Sequence, residues 1–291
     1  MPATPTLPEA PGTGPLGIIC GGGAFPLAVA EGARRRGRDV VLFPLRGFAD
    51  ADVSAWPHVW IPFAKVGRLI AELRRHGCRD IVFIGTLLRP RLRELRVDWQ
   101  TLRALPRVLK LFRGGDDHLL SGLGRLFEEQ GFRVLGAHEA APEILVPPGL
   151  LGRHAPGAAQ RADADRGAHA LRTLGPLDIG QGVVVVNGHI VAVEAAEGTD
   201  LMLARVAELR RLGRIAAPPR TGVFVKLAKA GQDRRFDLPS LGPRTVQGVA
   251  DAGLAGLAVE AGGVIVTDLP ALVRAADAAG LFVLGIEAGN G

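Results

Sequence analysis

The segment Gly231–Pro239 reads GQDRRFDLP and packs four charges into the five residues Asp233 to Asp237. A carboxylate, guanidinium, carboxylate series suits a site that handles a metal ion and a phosphate, and a solvated loop accounts for it equally well. Asp237 is followed by Leu238-Pro239, which holds its backbone extended or in a turn. Gly231 and Pro239 argue against a helix. The spacing therefore predicts a loop or short strand, and in an extended segment Asp233, Arg235 and Asp237 share one side.

Other residues offer related chemistry. Glu194, Glu197 and Asp200 place three oxygen donors within seven residues, of the hard kind that Mg²⁺ takes, although Thr199 or Asp200 can equally cap the following helix. Gly21-Gly22-Gly23 lies between an apolar run and a helical pattern, where backbone amides can approach a phosphate or where the chain simply turns tightly. Gly85-Thr86 ends another apolar run, at the kind of strand terminus where open α/β sheets bind ligands, and a strand cap is the competing reading. Asp116-Asp117 opens a helical segment, and one of the two is expected to serve as a cap. His138-Glu139 lacks a second histidine at helical spacing and is not a zinc motif.

The elements that must carry these residues follow from periodicity. Apolar runs at 16–20, 39–45, 58–63, 80–86 and 132–138 read as buried strands, alternating with helical patterns at 25–36, 65–76, 101–112 and 116–130. The alternation predicts a Rossmann-like parallel sheet with helices on both faces. Three prolines within 141–152 interrupt the pattern. The expected organisation is a flexible leader over 1–14, an N-terminal domain over 15–144, a linker over 145–152 and a C-terminal domain over 153–291. The second domain starts with a helix near 163–174. A hairpin follows at 183–194, turning at Asn187-Gly188. Then come a helix at 199–212 and a strand at 222–228. After the charged segment a helix near 244–252, strands at 254–259 and 263–267, a helix at 270–279 and a last strand complete an α/β domain with a mixed sheet.

Composition narrows the classes. The 291 residues are 47% hydrophobic and 22% charged, ordinary for a globular protein, with a net charge of +6 that favours anionic partners. Aromatic residues make up only 5% and the arginines are scattered, which argues against a nucleic-acid stacking platform. Only four of the 35 basic residues are lysine. Two isolated cysteines suggest reduced thiols and a cytoplasmic setting. The first residues lack a signal-peptide pattern, and no apolar run approaches the ~20 residues of a bilayer span. The basic stretch 88–96 reads as a solvated helix face, with contact to an anionic inner-membrane surface as its second reading. A nicotinamide fingerprint fits the glycine loop poorly, because Pro26 stands at the third glycine position. Arg46 at the end of the second strand nevertheless keeps an NADP-dependent oxidoreductase as the alternative.

Taken in order, GIICGGGAFPLAVAEGARRRG, the GDD at 115–117, GAHE at 136–139, DIGQG at 178–182, VEAAEGTD at 193–200, GQDRRFDLPSLG at 231–242, AGLAGLAVEAGG at 252–263 and LFVLGIE at 281–287 resemble one family, the LpxI UDP-2,3-diacylglucosamine pyrophosphatases of lipid A biosynthesis. The resemblance runs from Leu16 to Glu287. It implies a two-domain, homodimeric, Mg²⁺-dependent hydrolase that cleaves UDP-2,3-diacylglucosamine to UMP and 2,3-diacylglucosamine 1-phosphate, with water attacking the sugar-side phosphorus. It also implies that Asp237, in the DLP sequence, is the essential aspartate. On that reading Asp237 and Asp200 hold the metal. Gly21, Gly22, Gly23, Gly85 and Thr86 serve the uridine diphosphate end, and Gln181, Gly182, Thr199 and Asp200 the glucosamine phosphate end. Arg235 becomes a phosphate contact.

Overall fold

The computed structural model describes residues 14–87, 116–229 and 231–287. The basic stretch 88–96, the expected helix at 101–112 and residues 1–13 of the expected leader lie outside the described residues. The chain divides into two compact units, Met1–Ala141 and Pro142–Gly291.

In the first unit β1 (Leu16–Cys20), β2 (Val40–Arg46), β3 (Ile61–Pro62), β4 (Asp80–Ile84) and β5 (Arg133–Leu135) form a parallel sheet in the order β3-β2-β1-β4-β5. The helices are α1 (Phe25–Arg35), α2 (Val66–Arg75), α3 (Asp116–Glu129) and the short α4 (Ala137–Ala140). The fully buried run LGIIC makes β1 the centre of the sheet, as an uninterrupted apolar strand requires. The strand order reverses between β1 and β4, so the topological switch point lies where Gly21 and Gly85 follow their strands. At the opposite strand ends the buried Asp80 carboxylate accepts from Arg38 and from Arg133, whose Nε and Nη2 lie at 2.8 and 2.7 Å.

Two strand expectations are corrected here. Of 58–63 only Ile61 and Pro62 form strand, with a single bridge from His58 to Leu42, because Pro57 and Pro62 carry no amide to continue a ladder. The strand expected over 132–138 stops at Leu135. The Glu139 carboxylate takes the Gly136 amide at 2.5 Å and starts α4, so His138 and Glu139 sit on a helix.

The second unit holds a six-stranded mixed sheet, β6-β13-β11-β9-β7-β8. Its strands are β6 (Gly149–Leu151), β7 (Gly182–Val186), β8 (His189–Val193), β9 (Val223–Lys226), β11 (Gly256–Glu260) and β13 (Phe282–Ile286). Beside it β10 (Ser240–Leu241) pairs with β12 (Ile265–Val266). Strand β6 falls inside the expected linker and pairs antiparallel with β13, so this segment forms an edge of the second sheet. The helices are α5 (Ala158–Leu174), α6 (Gly198–Arg211), α7 (Pro243–Asp251) and α8 (Leu269–Ala279).

One face of this sheet buries Ala164, Ala168 and Leu171 of α5 against Val183, Val185, Val223 and Val225. The other buries Met202, Leu203 and Val206 of α6 and Val246 and Val249 of α7 against Phe224, Leu257 and Val259. Each of the Val, Leu, Met and Phe side chains contributes roughly 1.5–3 kcal/mol when fully withdrawn from water. The hairpin turns at Asn187 (φ 49°) and Gly188 (φ 77°), the left-handed pair expected of Asn-Gly. The buried Asp163 carboxylate accepts both turn amides, at 3.0 and 2.6 Å. Among the described residues no helix is long and apolar enough to cross a membrane.

Candidate active site

In the second unit, adjacent strands bring three positions side by side. Gly182 opens β7 and pairs with Lys226, the last residue of β9. The Glu194 amide, just past β8, donates to the Gly182 carbonyl at 2.8 Å. Gly182 leaves room for the carboxylate, since a Cβ there would lie 2.5 Å from Glu194 Oε2. The buried Lys226 Nζ donates to Thr199 Oγ1 at 2.7 Å and approaches Glu194 Oε2 at 3.5 Å, while Thr199 Oγ1 donates to Glu194 Oε1 at 2.9 Å. Burial pushes the Lys226 pKa down, and the carboxylates of Glu194, Asp200 and Asp237 oppose that shift without cancelling it. One ammonium thus meets the Glu194 carboxylate and feels the charge of two more.

The charged segment folds as a turn. Phe236 and Asp237 both donate their amides to the Asp233 carbonyl, at 3.0 and 3.2 Å. Asp233 Oδ1 accepts the Arg235 amide at 3.1 Å, so the extended arrangement with three side chains on one side is replaced by a side-chain-closed turn. Arg235 reaches back to the same carboxylate through Nε (2.9 Å) and Nη2 (2.7 Å), which holds the Asp233 pKa below the usual carboxylate range. The expected phosphate contact is therefore engaged within its own turn. Arg234 pairs with Glu260 at 3.0 Å, and Glu260 also accepts the Ala228 amide at 2.9 Å, so the end of β11 anchors the segment that follows β9.

Asp237 Oδ2 accepts from Gln232 Nε2. Gln232 Oε1 in turn accepts from Gln181 Nε2 at 3.0 Å and the Lys229 amide at 3.4 Å. Lys229 Nζ pairs with Asp178 at 2.6 Å. Asp200 is half-exposed, 3.3 Å from Arg244.

Of the expected residues, Thr199 and Gly182 adjoin Lys226 directly, Gln181 bonds the neighbouring Leu227 amide, and Asp200 and Asp237 act on Lys226 through their charge. Glu194, expected as an oxygen donor, belongs with them, as do Lys226 and Gln232, to which the sequence reading gave no role. A lysine closing an otherwise apolar strand, in a chain with four lysines, was the available signal for Lys226. Among the described residues no three His, Cys, Asp or Glu side chains are placed to hold a metal by themselves.

In the first unit, the glycine loop is pinned to the segment after β4. The Gly21 amide donates to the Ile84 carbonyl at 2.8 Å, and Gly22 and Thr86 exchange amide bonds at 2.9 Å. Gly85 (φ 105°) allows the approach; a Cβ there would stand 2.8 Å from the Gly21 carbonyl carbon. The Gly23 amide donates to the Asp50 carboxylate at 2.7 Å. The three glycine amides are thus engaged, and a phosphate at this loop would compete with those acceptors for them. The Arg46 guanidinium lies 5.7 Å from the Trp60 ring. The thiols of Cys20 and Cys78 form no disulfide, and burial raises them to about 12 and about 11, which disfavours the thiolate near neutral pH.

Comparison with known proteins covers both units. Residues 15–144 match the LpxI N-terminal domain and residues 147–284 the LpxI C-terminal domain. UDP-2,3-diacylglucosamine pyrophosphatase LpxI of Caulobacter vibrioides is 42% identical over 272 residues, which span 94% of this chain and 97% of that protein. The oxidoreductase alternative gains no support from these matches.

Proposed function

The chain belongs to the LpxI family, and on that premise we propose that it hydrolyses the diphosphate of UDP-2,3-diacylglucosamine, releasing UMP and 2,3-diacylglucosamine 1-phosphate. The observation that carries this reading is the near-complete span of the 42% identity, which takes in both units. The cluster around Lys226 is its physical counterpart.

The donor set fits Mg²⁺ in the way this ion is usually held, through one or two carboxylates with phosphate oxygens and water completing the shell. Asp237 and Asp200 are the residues that would hold it. When bound it would neutralise diphosphate charge and stabilise the departing phosphate. The protein's own groups do the rest. Asp237, an acceptor fixed by Gln232, orients the attacking water. The oxygen of that water bonds to the sugar-side phosphorus, and the bond from that phosphorus to the bridging oxygen breaks. UMP leaves with the bridging oxygen. The Lys226 ammonium offsets the carboxylates that would otherwise repel a polyanionic substrate.

Incubation with UDP-2,3-diacylglucosamine, with and without EDTA, tests the reading: UMP appears only where free divalent metal is present. In ¹⁸O-water the label enters the sugar phosphate and not UMP. Absence of UMP release, or label in UMP, refutes the activity or the point of attack respectively. We place the enzyme in the cytoplasm, with transient contact at the inner membrane surface where its lipid-linked substrate lies. We also propose a homodimer, for which light scattering gives a mass near twice 30.5 kDa.

A further inference from the structure

Asp237 is the residue on which the proposed chemistry turns, and a carboxylate on a turn needs something to fix its plane. Gln232 supplies that contact, and the direction of the contact is determined by its other end. A glutamine amide presents one acceptor oxygen and one donor nitrogen. Here the oxygen meets two donors, the Gln181 side-chain nitrogen at 3.0 Å and the Lys229 backbone amide at 3.4 Å. A backbone amide can only donate, so Oε1 must face Lys229. The donor end is thereby directed at Asp237 Oδ2, which it meets. If the amide were reversed, an oxygen would face the carboxylate and a nitrogen would face a backbone N–H, costing hydrogen bonds at both ends.

The chain of contacts reaches across the fold. Gln181 immediately precedes β7, Lys229 lies just past β9, and the Gln181 carbonyl accepts the Leu227 amide at 3.0 Å. The sheet and this bond hold Gln181 beside the segment that carries Lys229, both residues bond Gln232, and Gln232 bonds Asp237. Gln181, expected at the sugar phosphate, has its side-chain nitrogen engaged in this relay.

We propose that Gln232 is the positioning residue of the hydrolysis, holding the Asp237 carboxylate in its working orientation, with Gln181 acting through it. This inference rests on the proposed role of Asp237. The experiment compares wild type, Q232M, Q232E, Q181M and the Q181M/Q232M double variant, using UMP release from UDP-2,3-diacylglucosamine and thermal melting. Methionine keeps the length of glutamine and removes both polar atoms. Glutamate keeps the acceptors and turns a carboxylate toward Asp237.

Q232M is expected to lower kcat by about 30-fold or more while KM stays within about threefold, since an orientation made for the transition state is lost rather than ground-state binding. Q232E is expected to lose at least as much, and it carries the test if Q232M does not fold. Q181M alone loses less, and the double variant is no worse than Q232M within about twofold, because two residues acting in series are not additive. Turnover of either Gln232 variant within about twofold of wild type overturns the proposal, as does a loss confined to KM or an additive double variant. A wild-type protein that releases no UMP refutes the underlying function instead, so the two failures are distinguishable.

Discussion

Asp237 and Lys226 are the two residues whose removal should separate chemistry from structure. Asp237→Ala takes an acceptor from a turn whose own closure runs through Asp233, so the fold is expected to stay intact. Turnover should fall about a thousandfold or more, some 4 kcal/mol of barrier, with an unchanged melting curve. Near-normal UMP release by that variant would remove Asp237 from the mechanism. Lys226→Met differs, because it leaves Glu194 nearly buried with Thr199 as its remaining side-chain hydrogen-bond partner among the described residues. Breaking a buried pair on one side costs about 3 kcal/mol, so chemical denaturation should detect this variant as clearly as the activity assay does. Asp237 stands out in the sequence as a candidate through the ordered motifs around it. Its surroundings do not. Gln232 and Gln181 are 51 positions apart, and only the pairing of β7 with β9 brings them together. Arg235 shows the converse: its spacing from Asp233 suggested a shared open face, and the local turn instead closes the two on each other.

At the level of elements, the strand ends decide what each site can present. The loop after β1 and the segment after β4 are held together by amide exchange between Gly22 and Thr86. Gly85 makes that approach possible through a positive φ and the absence of a side chain. Gly85→Ala should destabilise the protein by about 1–3 kcal/mol, combining backbone strain with a clash against the Gly21 backbone, measured as a shift in the denaturation midpoint. A variant as stable as wild type would mean that the two segments part easily. The hairpin was readable from Asn187-Gly188 because that pair has one favoured turn, and the buried strands from their uninterrupted apolar runs. The short β3 and the early start of α4 were not, since proline placement and a single capping carboxylate outweighed the apolar pattern there.

Over the whole molecule, stability should depend on pH through Asp80. Burial would raise this carboxylate, but hydrogen bonds and charge from Arg133 and Arg38 outweigh it and hold the pKa below the usual value. A depressed carboxylate stabilises the fold above its unfolded pKa of about 3.9, and that contribution disappears as pH falls through the lower folded value. Asp80→Asn should therefore cost about 3 kcal/mol near neutrality, and its deficit against wild type should narrow only below about pH 4. Denaturation curves across pH 2–7 read this directly, and a deficit independent of pH would contradict it. The two-domain α/β organisation was legible because strand and helix patterns alternate along nearly the entire chain. The strand inside 145–152 was hidden because it pairs with β13, more than a hundred residues away.

The scarcity of lysine has a practical consequence. The chain carries four lysines, and two of them, Lys226 and Lys229, belong to the cluster described above. An amine-acylating reagent followed by peptide mass spectrometry therefore probes this region against an almost blank background. Lys226, shielded at the end of its strand, should resist labelling, whereas Lys229 is one ion pair away from release. The ratio of the two adducts provides an occupancy meter for the site that requires no turnover, no radiolabel and no engineered tag.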